Sequence, residues 1–185
     1  MANRIYEVEA VRHTIADATD WNDGHGFGAD TDQIDLASVA DGAARQSAKV
    51  DLAVSGSLLA TRYDVDVAIE WDVAPADDTS LDVYVGFSHI VTAATGNPGG
   101  LSGSDAAYTG TTNGTLAEGL LQLIHIGRMH PQNEAATTVN IQPIGSFIAE
   151  GQWAIFVVVN DGGQALEGDA IEMAIRVSGK APEVQ

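Results

Sequence analysis

Across residues 62–73 the chain alternates almost without fault. Tyr63, Val65, Val67, Ile69, Trp71 and Val73 fall on one parity; Arg62, Asp64, Asp66, Glu70 and Asp72 fall on the other, and only Ala68 blurs the contrast. Strand side chains point to opposite faces with period two, so this run specifies a strand with one buried and one wetted face. The pattern returns in Ala48, Val50, Leu52 and Val54, in Leu81, Val83, Val85 and Phe87, and in Ile171, Met173, Ile175 and Val177. Residues 153–159 differ: they are continuously apolar and rich in β-branched residues, which predicts a central strand buried on both faces. Residues 5–15, 120–126 and 137–148 are weaker candidates, and Pro143 predicts an edge, a bulge or a break in the last, because proline cannot donate to a ladder.

Turn chemistry separates these runs. Pro75 with Asp77 and Asp78 divides two strands, and Asn160-Asp161-Gly162-Gly163 divides the last two as a hairpin or bulged loop. Helical signals are sparse: one short turn at 41–46, and about two turns at 115–123 despite Gly119. The expected fold is all-β, a single-domain antiparallel β-sandwich, jelly-roll-like, with about eight strands; another Greek-key topology stays open. Residues 1–185 form one domain, with N-terminal strands and an acidic loop over 1–60, a core sandwich over 61–178 and a tail over 179–185. Two long loops interrupt the ladder: the Gly/Asp-rich 17–32, carrying Trp21 and Phe27, and the Gly/Ser/Thr-rich 92–115, carrying Leu101 and Tyr108. Loops of that length in a compact domain are usually functional, ordered by a partner or disordered.

Charge decides what such a sandwich can meet. The 185 residues include 26 acidic and only 8 basic side chains, a formal charge of −18 that repels nucleic-acid phosphates. That acidity suits saline surroundings or a surface that keeps its neighbours away. With 45% hydrophobic residues a core is readily built, and with no cysteine there is no disulfide, thiolate metal site or cysteine nucleophile. The longest apolar run, seven residues at 153–159, is far below the roughly 18 needed for a membrane span, so a soluble protein without membrane contact is expected. The opening MANRIYEVEAV lacks the basic and apolar regions of a secretory signal.

Motif chemistry is thin. The glycines at 96–103 lack the Gly-Lys-Ser/Thr ending of a phosphate loop, and Ser102 and Ser104 do not sit in a Gly-x-Ser-x-Gly elbow. None of His13, His25, His89, His125 and His130 has zinc-hydrolase spacing; His125 reads as a hydrogen-bonded sheet histidine, and His89 and His130 as interface residues. Asp20, Asn22 and Asp23 are weak calcium candidates, but no glutamate closes the loop in EF-hand register, and a solvated acidic loop is the simpler reading. Trp71 and Trp153 share strand parity with the core, which leaves Trp21 to stack on a sugar. Asn113-Gly114-Thr115 fits a glycosylation sequon but is better read as a turn. No catalytic residue and no cofactor is indicated.

Several segments taken in order carry a resemblance. SVADGAARQSAKVDL from Ser38, RYDVDVAIEWDVAP from Arg62, LDVYVGFS from Leu81, NPGGLSGSDAAYTG from Asn97, LLQLIHIG from Leu120 and FVVVNDGGQAL from Phe156 are together similar to small structural proteins of tailed bacteriophages, especially those of aquatic bacteria. The resemblance implies a virion context and, most directly, a capsid decoration or cement protein on the head surface. It would bind the major capsid protein as a homotrimer, and a neck or tail component is the nearest alternative. A carbohydrate-binding host-recognition module is the next, and a jelly-roll glycan hydrolase, needing two carboxylates across a cleft, the last. Trp21, Phe27, Leu101 and Tyr108 are the apolar side chains expected to anchor the two loops on a partner, with 92–115 protease-sensitive in the free protein.

Overall fold

A computed structural model describes residues 5–54, 58–76, 78–131 and 138–184. Among these, the main strands are β1 (Ile5–Ala16), β7 (Arg62–Ile69), β8 (Ser80–Ser88), β10 (Ile124–Met129), β11 (Asn140–Phe147), β12 (Trp153–Asp161) and β13 (Ala174–Val184). Between them lie the short β2 (Asp32–Gln33), β3 (Ala43–Gln46), β4 (Val50–Asp51), β5 (Ala53–Val54), β6 (Leu58–Leu59) and β9 (Ala106–Ala107), a 3-10 turn (Pro98–Gly100) and one α-helix, α1 (Leu116–Leu120).

One sheet runs β11-β7-β13-β1-β2 and the other β10-β8-β12-β3-β9, with β4 also pairing β12, while β5 and β6 form a separate ribbon. Pairing is antiparallel except between β1 and β2. The expected β-sandwich is therefore present; this strand order does not by itself make it a jelly roll. The alternation in β7 does as its spacing dictates: Tyr63, Val65, Val67 and Ile69 enter the inter-sheet core with Leu81, Val83 and Val85 of β8 and Ile175 and Val177 of β13. Phe147 stacks on Tyr63 at 5.1 Å and meets Phe87 and Phe156 at 5.7 and 5.9 Å, an aromatic knot joining the two sheets at one end. The Tyr63 hydroxyl donates to Leu52 O at 2.6 Å and accepts from Ala60 N at 3.0 Å, fastening both arms of the β5–β6 ribbon to the core.

The sandwich is closed along both sides. On one, β10 and β11 bulge at His125/Gly127 and Pro143/Gly145, turning Ile126 and Ile144 toward the core. Their backbones then pass so closely that a Cβ on Gly127 would strike Ile144 O. Pro143 thus sits at a bulge on an edge strand, where the missing N–H costs nothing. On the other side, Arg45 of β3 pairs with Asp105 at 2.7 Å, and Gln33 of β2 reaches Asp17 and Asp105 at 3.3 and 3.4 Å.

Four local expectations are corrected. Residues 43–46, expected as part of a helical turn, form β3, because pairing with β12 and β9 outweighs a weak local preference. The Asn160–Gly163 turn is no hairpin: β12 and β13 lie in different sheets, and Asn160 redirects the chain by donating to Val39 O and Gln164 O. Residues 179–184, expected as a tail, continue β13 against β1. The run at 120–126 splits, α1 taking its start and β10 its end. The helix is nucleated by a capping box, Thr115 Oγ1 accepting from Glu118 N while Glu118 accepts from Thr115 N.

Candidate functional site

The two long loops were the sequence's candidates for contact, and each folds back over the outer face of a different sheet. In the 17–32 loop, Asp17 Oδ1 accepts from Thr19 N at 2.7 Å, and Asp23 accepts from Phe27 N and Gly28 N at 2.8 and 2.9 Å. Loss of hydration would raise the Asp23 carboxyl, but the N–H groups of Gly28, Phe27, Gly26 and His25 outweigh it and hold it below its ordinary range. Trp21 Nε1 donates to Gly28 O at 3.0 Å, and Thr14 Oγ1 to Phe27 O at 2.6 Å. The loop thereby drives Phe27, 1% exposed, onto the small side chains Ala16, Ala68 and Ala174 on the outer face of the β1-containing sheet. Ala68, the one residue that blurs the alternation in β7, is the floor of this second small core.

The 92–115 loop does the same for the β12-containing sheet. Leu101 and Tyr108 pack on Ala44, Ile155, Val157 and Val159, with Leu116, Leu120 and Leu123 around them. Here lies the reason β12 is apolar on both parities: one parity faces the inter-sheet core, the other faces this lid. Gly86 of β8 lets the lid seat, since a Cβ there would lie 2.6 Å from Leu101 Cδ1 and 2.9 Å from Pro98 Cγ. The Tyr108 hydroxyl donates to Gly99 O at 2.5 Å, and Asn97 Nδ2 to Ala93 O and Leu101 O at 2.6 and 3.0 Å. Lys49 completes the tether, its ammonium donating to the carbonyls of Ile90, Thr92 and Thr95 at 2.8, 2.8 and 3.1 Å.

Of the four residues expected to anchor a partner, Phe27, Leu101 and Tyr108 are therefore interior, and only Trp21 keeps part of its surface. They anchor the loops to their own sheets, because the outer faces carry apolar or small residues that need covering. The calcium candidates Asp20, Asn22 and Asp23 are not brought together as a ligand set: Asp23 is engaged by backbone N–H groups, and no cluster of three or more His, Asp or Glu suited to a metal occurs among the described residues.

Charge pairing carries the next observation. Arg128 holds Asp82 in a two-point contact at 2.9 and 2.8 Å, and His125 Nε2 lies 2.8 Å from the same carboxylate. His125 is thus the hydrogen-bonded sheet histidine its pattern predicts. Burial would raise Asp82, but Arg128 and His125 prevail and hold it below the usual carboxylate range. Arg176 lies 2.9 Å from Asp66, Arg62 2.9 Å from Asp64, Lys180 3.9 Å from Asp64 and Arg12 2.8 Å from Glu9. With Arg45 on Asp105 and Lys49 on its carbonyls, every basic side chain among the described residues is engaged inside the chain. An open trough of about 630 Å³ runs over the β1-containing sheet beside Glu9, Asp64, Asp66, Arg176, Ser178 and Lys180, but its cations already belong to these pairs. A second depression, about 470 Å³, is rimmed by neutral side chains of residues 106–114. Among the aromatic side chains described, Trp21, Tyr84, Phe87 and Trp153 are half-buried, and the others lie in the interior.

Among the described residues no helix is long and apolar enough to cross a membrane. No family model, no curated protein and no solved structure matches the chain.

Proposed function

We propose that this chain is a non-enzymatic structural protein of a tailed-bacteriophage virion, most specifically a decoration protein that binds the major capsid protein on the outside of the head as an oligomer, a trimer being the form the family resemblance implies. One observation supports this reading above the rest: the described basic side chains of this acidic molecule are engaged inside the chain, and both long loops are folded down as lids. Such folded-down loops offer a preorganised surface, which lowers the cost of attachment. Its uncompensated carboxylates repel packaged nucleic acid and loose neighbours. Repeated copies then hold a lattice through avidity.

The test is to strip the protein from purified particles, add back the recombinant chain and measure saturable co-sedimentation. Binding at a fixed number of copies per head supports the reading. Binding to isolated tails and not to heads moves the protein to the neck or tail, and binding to neither removes the proposal.

A further inference from the structure

Glu70 stands just past the end of β7, on the parity of Ala68, the face that the 17–32 lid covers through Phe27. It is 7% exposed, and its carboxylate has no hydrogen bond or ion pair among the described residues. The register that sets Ala68 against Ala174 leads from Glu70 across the sheet toward Glu172. The lid meets the chain at that residue: His25 Nε2 is 3.8 Å from Glu172 Oε2, and a Cβ on Gly24 would lie 3.8 Å from Glu172 Oε1. His25 Nε2 is itself buried without a hydrogen bond. Asn22 N donates to Ile171 O at 2.9 Å, tying the lid to the same segment.

We propose that Glu70, Glu172 and His25 form a proton-operated latch on the 17–32 lid, which holds when protons are bound and loosens when they leave. Stripped of protons, the pocket sets two repelling carboxylates beside an imidazole nitrogen that has no partner. A proton on Glu70 removes the buried charge, and one on His25 makes a cation facing Glu172; both favour the closed lid. The charged groups around Glu70 act in one direction. Burial first, then Glu172, Glu167 and Asp169, hold its carboxyl above its ordinary range. Residues 138–140 of the neighbouring segment bring no charge, Arg176 of β13 is held by Asp66, and Asp23 of the lid is occupied by backbone N–H groups. No three His, Asp or Glu side chains among the described residues are arranged for a metal, so the proton is the cation that fits. Opening the lid returns Glu70 to water, so the closed state binds more protons. Closure therefore weakens as pH rises from the ordinary carboxylate value through the raised one, and levels off above it.

Amide hydrogen exchange of the full-length protein from about pH 4 to about pH 8, corrected for the intrinsic pH dependence of exchange, reads the latch. The amides of Trp21 and Asn22, bonded to Asp17 O and Ile171 O, report the lid, and those of β12 report the body. Protection of the lid amides should fall with rising pH by up to ~10-fold per pH unit, the linkage of one proton, while β12 changes less. Glu70→Gln should keep the lid protected through the alkaline end of the range. Glu172→Gln, at a side chain 40% exposed, should restore part of that protection without disturbing the core. Lid protection that is flat with pH in the wild type, a fall shared equally by β12, or a fall unchanged in both variants would each overturn the latch. Calcium or zinc that protects the lid at the alkaline end, with the effect reversed by a chelator, would give the pocket to a metal and overturn it as well.

Discussion

The guanidinium of Arg176 lies over the ring of Phe27, 4.7 Å from its centroid, while also holding Asp66 at 2.9 Å. One side chain of β13 thus pins the acidic loop onto the sheet and neutralises a carboxylate beside it. The arrangement shows how a chain with so many acids can still cover its sheets: Arg176 and Lys49 hold the two loops down, and Arg128 quenches the buried Asp82.

Removing the ring should release the loop. Phe27→Ala is expected to destabilise the protein by about 3–5 kcal/mol, the usual cost of truncating a buried phenylalanine, and to open residues 17–32 to protease. Urea unfolding and limited proteolysis read the two effects. A loss below 1 kcal/mol with the loop still resistant would contradict the packing.

Lys49 is the matching test on the other face. Burial of its ammonium lowers its proton affinity, which leaves the carbonyls of Ile90, Thr92 and Thr95 as its compensation. Lys49→Met should make residues 89–96 cleavable and cost about 1–3 kcal/mol, as for hydrogen bonds to a charged group. Unchanged digestion of that segment would show that the tether is unnecessary. In the wild type this segment should resist protease, contrary to the sensitivity expected for an unanchored glycine-rich loop.

Gly86 carries the seating of the lid. Gly86→Val places methyl groups where Leu101 and Pro98 already stand and should cost about 1–3 kcal/mol through overpacking. Gly26, whose surroundings are open, has a φ of 76° and is a poor control; Gly24, with ordinary contacts only, is the better one. Gly24→Ala should leave the melting temperature nearly unchanged, and a drop equal to that of Gly86→Val would remove the steric explanation.

Two carboxylates should drive stability in opposite directions with pH. Asp82, held low in the folded state, contributes stability that is complete above the unfolded value of about 3.9 and is lost as pH falls through its lower folded value. Glu70, 7% exposed, is pushed up by burial first and then by Glu172, Glu167 and Asp169. Its ionisation penalises the fold above its raised folded value, and the penalty fades as pH falls through that value toward the unfolded one. Glu70→Gln should therefore raise the melting temperature at pH 7 and lose that advantage toward pH 4. Arg128→Met should lower stability at pH 7 by about 1–3 kcal/mol, because the buried Asp82 then keeps only His125 as a side-chain partner, with the deficit shrinking in acid. A pH-independent effect in either variant would contradict the assigned cause.

Much of the fold was legible because burial writes period two directly into a strand. The 62–73 alternation located β7, and the unbroken apolar run of β12 announced two buried faces. What covers the second face was hidden, because Leu101 and Tyr108 lie far from β12 in sequence and within a glycine-rich stretch that reads as loose loop. Their apolar character is visible in the sequence, but only the fold shows that they cover β12, as Phe27 covers Ala16, Ala68 and Ala174. Short strands such as β3 were missed because two to four residues carry too little periodicity to outweigh local turn signals. The pairing of the basic side chains depends on which strands are neighbours, and spacing alone does not report that.

The most direct test of the adhesive account is a single-particle reconstruction of the virion, fitted with this sandwich. The account predicts symmetric density for the chain outside the head shell, with no gap suited to a substrate or nucleic acid between the two. Particles that lack the chain altogether, or that hold it inside against the genome, would contradict it.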